Sequence, residues 1–179
     1  MTELGLLQVY TGDGKGKTTA ALGLALRACG HGFRVCMIQF MKESDDYGEA
    51  KLKGLLPNFT LLQVGRNDFV NLAAPEQIDI KLAQNGWHQA KEIILSGKFD
   101  IVILDEINVA MACKLLDTNS VVAFLKDFCS TAQPKPELIL TGRYAPEEIC
   151  AIAHLVTEMR EIKHPYALHQ TAARCGSEF

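Results

Sequence analysis

The sequence lacks the features that mark several classes of protein. Its 18 lysines and arginines are balanced by 21 aspartates and glutamates, and neither sign forms a block. Because proteins that bind the nucleic-acid backbone concentrate positive charge, we expect no nucleic-acid partner. No apolar run reaches the length needed to cross a bilayer, so we expect no membrane partner. A chain of 179 residues with this composition is most simply one globular domain, spanning residues 1–179.

Cysteine pairs of the C-x-x-C type and a secretion signal are also lacking. The six cysteines are scattered, and several lie within apolar stretches. In a reducing compartment such cysteines are usually small core residues, so we expect neither a zinc site nor disulfides. The five histidines show no metal-ligand spacing. The first ten residues include an acid and enter an apolar run at once, which predicts no signal peptide and a cytoplasmic location.

The most informative segment that is present is TGDGKGKTT, residues 11–19. It follows an apolar run at Leu4–Tyr10 that predicts a strand, and it precedes an Ala- and Leu-rich stretch at Ala20–Cys29 that predicts a helix. At such a junction, backbone N–H groups and the helix N-terminus bind phosphate oxygens. Lys17 adds a full positive charge, and Thr18 offers a hydroxyl group to Mg2+. A nucleoside triphosphate is the expected ligand.

The spacing of this loop departs from the common P-loop pattern G-x-x-x-x-G-K-[ST]. That pattern requires a glycine where this chain has Thr11, and the first glycine here is Gly12. The loop is therefore one residue tighter and could hold the phosphates in another register. The alternative, a glycine-rich hairpin turn, leaves the two lysines and two threonines of residues 15–19 unexplained.

The rest of the chain alternates predicted strands with predicted helices, which indicates a doubly wound, mostly parallel six-stranded α/β sheet. The further strands are predicted at Val35–Phe40, Phe59–Val64, Asp100–Asp105, Glu137–Thr141 and Leu155–Ile162. The further helices are predicted at residues 76–96, interrupted by Gly86, at 120–131 with Asp117, Thr118 or Asn119 as its cap, and from Pro146 to near His154. Trp87 is expected in the core. The polar segment 41–54 is expected to be mobile, and residues 164–179 to cross the active edge or the surface.

Two carboxylates end the predicted central strand. Asp105 and Glu106 follow the apolar run IVIL, as a Walker B acid does beside a P-loop. A solvated strand end is the alternative for both. Arg143 follows the next strand, and parallel sheet geometry places it at the same edge, within reach of a phosphate. A surface arginine after a turn explains Arg143 equally well.

The motifs VYTGDGKGKTTAALG, VCMIQFMK, FDIVILDEIN, LILTGR and REIKHPYA with a terminal GSEF occur in this order over nearly the whole chain. This set resembles the ATP:corrinoid adenosyltransferases that act on cob(I)yrinic acid a,c-diamide, cobinamide or cob(I)alamin, whose loop is similar in reading G-x-G-K-G-K-T-T. The resemblance implies a RecA-like P-loop fold and a homodimer. It also implies that Co(I) of a reduced corrinoid attacks the 5′ carbon of ATP, so that inorganic triphosphate leaves, with ATP bound in the reverse direction to ordinary P-loop hydrolases.

The resemblance also implies roles for individual residues. Lys17, Glu106 and Arg143 would be catalytic, and Thr18, Glu106 and Asp105 would bind Mg2+ or Mn2+. The implied substrate-binding set is Gly12, Asp13, Gly14, Lys15, Gly16, Lys17, Thr18, Thr19, Arg143 and Phe69. No general base is required, because a cobalt nucleophile carries no proton. A flavoprotein reductase is the implied electron donor.

Two positions differ from the family pattern. Relatives tend to have a Phe-x-Trp pair that crowds the lower face of the corrin, whereas this chain has Phe69, Val70 and Asn71. Some relatives carry an N-terminal covering helix, which ten residues before the loop cannot supply; either segment 41–54 closes the site or the site is more open. The alternative functions are a P-loop nucleoside or small-molecule kinase and a non-catalytic ATP-binding regulator.

Overall fold

The computed structural model describes residues 4–52, 54–68, 70–132 and 134–177. Within these ranges, six parallel strands form one sheet with the order β3-β2-β4-β5-β1-β6. The strands are β1 Leu7–Thr11, β2 Val35–Phe40, β3 Phe59–Val64, β4 Ile101–Asp105, β5 Glu137–Thr141 and β6 Leu155–Glu158. The predicted α/β class is confirmed, and the sheet is entirely parallel rather than mostly so.

Helices connect the strands and cover both faces of the sheet. They are α1 Lys17–Gly30, α2 Gln77–Leu95, α3 Ile107–Ala112, α4 Thr118–Ser130, α5 Glu147–Ile152 and α6 Pro165–His169, with a 3₁₀ turn at Ala50–Leu52. The buried strands β2, β4 and β5 have no exposed residue, as expected for a parallel sheet between two helical layers. No helix of the described ranges is long and apolar enough to span a bilayer.

The core consists of two apolar clusters, one on each face of the sheet. On one face, Ala21, Ala25 and Ala28 of α1 pack on Met37 and Ile103. Their spacing places the three small side chains on one stripe of the helix, which lets α1 approach the sheet closely. On the other face, α2 to α5 cover the alternate side chains of the same strands. The doubly wound arrangement thus follows from strands that are apolar on both faces.

Trp87 belongs to the second cluster. Its side chain is buried, and its ring meets that of Phe124 edge to face, with 5.3 Å between centroids. This arrangement confirms the prediction that Trp87 is a core residue. Gly86, in contrast, does not interrupt the helix, because α2 is continuous through it. A Cβ there would lie 2.6 Å from Cγ2 of Val64, so the glycine provides space for helix-to-strand packing.

Several predicted boundaries are wrong. Helix α1 begins at Lys17 rather than Ala20, because Gly16, with φ 118°, turns the chain straight into it. Strand β1 is Leu7–Thr11 rather than Leu4–Tyr10. Strand β6 ends at Glu158 rather than Ile162, since the following backbone packs on the glycines of the loop.

Two further helical predictions need correction. Pro146 is the N-cap of α5 rather than its first helical residue, and α5 ends at Ile152, before His154. Helices α3 and α6 are not predicted by the sequence, because each is short and neither shows a clear period. The cap of α4 is Asp117, whose carboxylate accepts a hydrogen bond from the backbone N–H of Ser120 at 3.0 Å.

The prediction that the cysteines are core residues is only partly correct. Cys36 in β2 is fully buried, and burial raises the pKa of its thiol to about 12. Cys175 is exposed, so the prediction is wrong there. The remaining four are half-buried at the edges of the clusters: Cys29, Cys113, Cys129 and Cys150.

Candidate functional site

The loop between β1 and α1 closes on itself around a buried lysine. Nζ of Lys17 donates hydrogen bonds of 2.7 Å to the carbonyl oxygens of both Gly12 and Gly14. The side chain of Lys17 is buried, and burial and the nearby charge of Arg143 lower its pKa, while Glu106 opposes the shift. The loop therefore presents one buried ammonium group at the carboxyl edge of the sheet.

The glycines of the loop have a structural role in packing against the chain after β6. The backbone N–H of Gly14 donates to the carbonyl oxygen of Met159 at 2.7 Å, so the loop is braced by the chain that follows β6. A Cβ on Gly12 would collide with the same carbonyl group, and one on Gly14 would lie 2.8 Å from the backbone of Arg160. Both positions thus require glycine.

Asp105 is the hydrogen-bonding centre of the site. Its Oδ1 accepts from the hydroxyl groups of Thr18 at 2.8 Å and Thr141 at 2.7 Å. Its Oδ2 accepts from Nζ of Lys42 at 3.0 Å and Nε2 of Gln39 at 3.1 Å. With four donors and no exposure, Asp105 is a fully occupied carboxylate that orients the Thr18 hydroxyl.

Glu106 differs from its neighbour because none of the described residues donates a hydrogen bond to its carboxylate. Its backbone adopts a left-handed conformation, with φ 63°, and its N–H donates to Oγ1 of Thr141 at 3.0 Å. Burial and the charge of Asp105 raise the pKa of the Glu106 carboxyl group, and Lys42 and Lys17 oppose the shift. This left-handed residue turns the carboxylate away from the strand and toward the cavity.

The structure brings some of the other predicted residues to the same edge. Nη2 of Arg143 donates to the backbone carbonyl of Asp13 at 3.2 Å, so the arginine lies beside the loop. Nζ of Lys15 donates to Oγ of Ser177 at 3.0 Å, which confirms that the C-terminal segment crosses the active edge. Thr19 is exposed in the first turn of α1, away from the buried lysine.

A cavity of about 760 Å³ opens beside the loop. Lys17, Glu106 and Arg143 line the end of the cavity beside the loop. The segments 40–47 and 66–72 line much of the rest, together with Val109, Tyr144 and Ala173. Its volume exceeds what a triphosphate group alone would occupy, so the cavity has room for part of a second, partly apolar molecule.

The predicted corrin-facing residues fall in segment 66–72. Phe69 lies outside the described residues, whereas Val70 lines the cavity. Asn71 closes a turn instead, because its Oδ1 accepts from the N–H of Ala73 at 3.1 Å and its carbonyl accepts from the N–H of Ala74 at 3.1 Å. Asn71 is thus used to shape the loop.

Four polar residues of the candidate site are not predicted from the sequence: Gln39, Lys42, Arg66 and Thr141. Arg66 lines the cavity, and its Nε lies 2.9 Å from Oδ1 of the buried Asp79. That contact is an ion pair, and neither of the two atoms has a hydrogen-bond partner among the described residues. A signal was available for two of them, since Gln39 is a polar residue within the apolar strand VCMIQF and Lys42 follows that strand by two residues.

The chain is similar to a group of curated proteins over most of its length. A family model described as ATP:corrinoid adenosyltransferase BtuR/CobO/CobP matches residues 3–179. A corrinoid adenosyltransferase from Sinorhizobium sp is 38% identical over 171 residues, covering 92% of this chain and 76% of that protein. The corrinoid adenosyltransferase of Escherichia coli K12 is 35% identical over 165 residues, covering 92% and 81%. That of Pseudomonas aeruginosa is 32% identical over 178 residues, covering 99% and 85%.

A solved structure supports the fold independently. The flagellar accessory protein FlaH from Methanocaldococcus jannaschii superimposes with a TM-score of 0.54 at 16% identity, covering 87% of this chain and 71% of that chain. At this identity the likeness concerns the fold alone. It agrees with the predicted α/β class of the sheet.

Proposed function

The chain belongs to the ATP:corrinoid adenosyltransferase family BtuR/CobO/CobP, and we propose that it transfers the 5′-deoxyadenosyl group of ATP to the Co(I) of a reduced corrinoid. Inorganic triphosphate is the second product. One observation supports the proposal beyond family membership: the cavity that Lys17 of the loop lines is also lined by apolar side chains such as Val70 and Val109. A triphosphate and a large, partly apolar acceptor can therefore meet in one site.

The reaction breaks the bond between C5′ and its oxygen and forms a cobalt–carbon bond. The electron pair of Co(I) enters the new bond, and the pair of the broken bond leaves with the triphosphate, which gains negative charge. Lys17 and Arg143 are the residues that would stabilise this charge, aided by the backbone N–H groups of the loop and by Lys15. Asp105 is saturated by four donors and is unsuited to act as a base, which this reaction does not need.

The residues at the loop also fit a hard divalent cation, Mg2+ or Mn2+. Among the described residues no three His, Cys, Asp or Glu side chains converge, so the protein offers only a few oxygen donors. Mg2+ uses few protein ligands and takes phosphate oxygens and water for the rest. The Thr18 hydroxyl and the Glu106 carboxylate would hold it, with Asp105 orienting Thr18. The cation would neutralise phosphate charge.

We also propose a domain organisation, a location, an electron donor and an oligomeric state for the protein. Residues 1–179 would form one catalytic domain in the cytoplasm, working with a flavoprotein reductase that supplies Co(I). A homodimer is proposed as well, supported by the exposed apolar side chains of the edge strand β6, Leu155 and Val156. The substrate-binding set would be residues 12–19 with Arg143 and Phe69.

The proposal is tested by incubating the protein with ATP, Mg2+ and chemically reduced cobalamin. We expect a light-sensitive adenosyl product and inorganic triphosphate in equal amounts. Replacing Lys17 by alanine should weaken ATP binding at least about 30-fold, because a charge-assisted contact of about 2 kcal/mol is lost. Lys81→Ala, on the exposed face of α2, is the matched control.

Other outcomes would favour the alternative functions. Conversion of ATP to ADP with phosphorylation of an added nucleoside would identify a kinase. ATP binding that Lys17→Ala abolishes, without any product from the unmodified protein, would identify a regulator.

A further inference from the structure

Four polar side chains form a row across neighbouring strands at the carboxyl edge of the sheet. Gln63 in β3 and Asp105 in β4 are both register partners of Gln39 in β2. Thr141, at the end of β5, continues the row through its hydrogen bond to Asp105. The row joins the nucleotide end of the cavity to the edge strand β3.

Gln39 is the central member, and its side-chain amide is almost fully used. Its Nε2 donates to Oδ2 of Asp105 at 3.1 Å and to Oε1 of Glu49 at 2.8 Å. Its Oε1 accepts from Nε2 of Gln63 at 3.1 Å. Because the carboxylates of Asp105 and Glu49 only accept hydrogen bonds, the amide nitrogen of Gln39 must face them, and this defines the orientation of the Gln39 amide.

The row is also tied to segment 42–49, which forms one wall of the cavity. The second donor bond of Gln63 Nε2 goes to the carbonyl of Ser44 at 3.3 Å. Nζ of Lys42 lies 3.0 Å from Oδ2 of Asp105 and 5.4 Å from the ring centre of Tyr47. Together with the Gln39–Glu49 bond, these contacts connect the wall to the carboxylate that orients Thr18.

A buried amide at this position needs a reason, because β2 is buried at all six residues. Leu or Ile in place of Gln39 would bury apolar surface without the desolvation of an amide. A polar group that is fully hydrogen-bonded instead makes one arrangement of its neighbours rigid. The neighbours of Gln39 belong to both halves of the site.

We infer that Gln39 is a positioning residue that fixes segment 42–49 relative to the triphosphate end of the cavity. The inference rests on the proposed function. In that reaction the corrinoid must meet C5′ at a defined distance and direction, and a displacement of about 1 Å reduces such rates by about 100-fold. Gln39 thereby sets where the corrinoid lies, although it does not touch the reacting atoms.

The test compares Gln39→Met with Gln8→Met, the same substitution in the same sheet. Nε2 of Gln8 also donates to a carboxylate, Oε1 of Glu137 at 2.6 Å, but the side-chain hydrogen-bond partners of Gln8 are Glu137 and Tyr10, which belong neither to the row nor to segment 42–49. For Gln39→Met we expect kcat/KM for the reduced corrinoid to fall at least tenfold, while the Kd for Mg-ATP without corrinoid changes less than threefold. Hydrogen exchange in segment 42–49 should become faster. Gln8→Met should leave all three quantities unchanged.

Glu49→Ala serves as a second variant in case Gln39→Met does not fold, since it releases the wall and keeps the bonds to Asp105. For Glu49→Ala, kcat/KM for the reduced corrinoid should fall, by less than for Gln39→Met, while the Kd for Mg-ATP should again change less than threefold. Absence of adenosyl product with the unmodified protein would refute the proposed function. Product formation with both variants within threefold of normal would refute only the inference. A parallel loss of ATP affinity would also overturn it, because Gln39 would then serve the nucleotide end alone.

Discussion

The backbone N–H of Gly14 donates a hydrogen bond of 2.7 Å to the carbonyl oxygen of Met159. One amide of the phosphate loop is therefore bound to the chain after β6, and the loop is held against Met159 and Arg160 by backbone contact. The shortened loop is thus part of the sheet edge rather than a free turn. This relationship leads directly to a mutational test.

Gly14→Ala should destabilise the protein by about 2 kcal/mol, because its Cβ would lie 2.8 Å from backbone atoms that cannot move aside cheaply. ATP affinity should fall as well. Gly23→Ala is the control: Gly23 is in α1, a methyl group there would meet no neighbouring element within 4 Å, and the protein should gain about 1 kcal/mol from helix propensity. Urea denaturation measures both. Equal effects of the two substitutions would contradict the close approach.

Gly86→Ala tests the packing of α2 on β3. Propensity alone predicts that alanine stabilises a helix interior by about 1 kcal/mol. We expect a loss of about 1 to 3 kcal/mol instead, because the new methyl group would meet the stiff side chain of Val64 at 2.6 Å. The double variant with Val64→Ala should lose less stability than the two single variants lose together. The difference should exceed about 0.5 kcal/mol, which is the coupling expected of contacting residues. Additive losses would show that the two residues do not meet.

Asp100 makes acid stability depend on one ion pair. Its carboxylate accepts from the backbone N–H of Arg34 at 2.8 Å and from the guanidinium at 2.8 and 3.0 Å, and these bonds to Arg34 lower the pKa of Asp100. A lowered folded-state pKa stabilises the protein above the unfolded value of about 3.9, and the gain is lost as the pH falls through the folded value.

Asp100→Asn should therefore cost about 1 kcal/mol at pH 7, a modest figure because the pair is partly exposed. The difference from the unmodified protein should stay constant down to about pH 5 and vanish at lower pH. Arg34→Gln should show the same profile, since it removes the other partner. Denaturation at several pH values measures this, and a difference that persists at about pH 2 would speak against the ion pair.

Lys42→Met should destabilise the protein more than an ordinary surface substitution. Burial alone would lower the pKa of Lys42, but the charge and hydrogen bond of Asp105, with Glu106 and Glu49, raise it overall. Removing the ammonium leaves the buried Asp105 carboxylate short of a cation, for which we expect a loss of about 2 to 3 kcal/mol. Lys81→Met is the control, and urea denaturation measures the stability of both variants. A loss of stability for Lys42→Met no larger than that of the control would show that Asp105 needs no cation.

Local patterns were sufficient for much of this site. The alternation of apolar runs predicted every strand, since buried parallel strands are continuous in Val, Ile and Leu. Loop residues 12–18 and the pair Asp105 and Glu106 could also be predicted. They are small, basic or acidic residues that directly follow an apolar strand, so they differ clearly from the residues before them. The end of β6 was predicted wrongly, because the close approach of Met159 to the loop decides it and joins segments far apart in the chain.

The sequence by itself determined the kind of chemistry. A strand, a glycine turn with Lys17 and Thr18, and a helix follow one another directly in the chain, so neighbouring residues alone encode the local backbone geometry of this anion-binding arrangement. The tertiary structure alone decided which carboxylate is saturated and which faces the cavity. Asp105 and Glu106 are adjacent in the chain, yet Asp105 receives four donors from three other parts of the chain, while the left-handed backbone of Glu106 turns its carboxylate away. Such a difference depends on strand order and register, which bring together Gln39, Lys42 and Thr141 from distant parts of the chain.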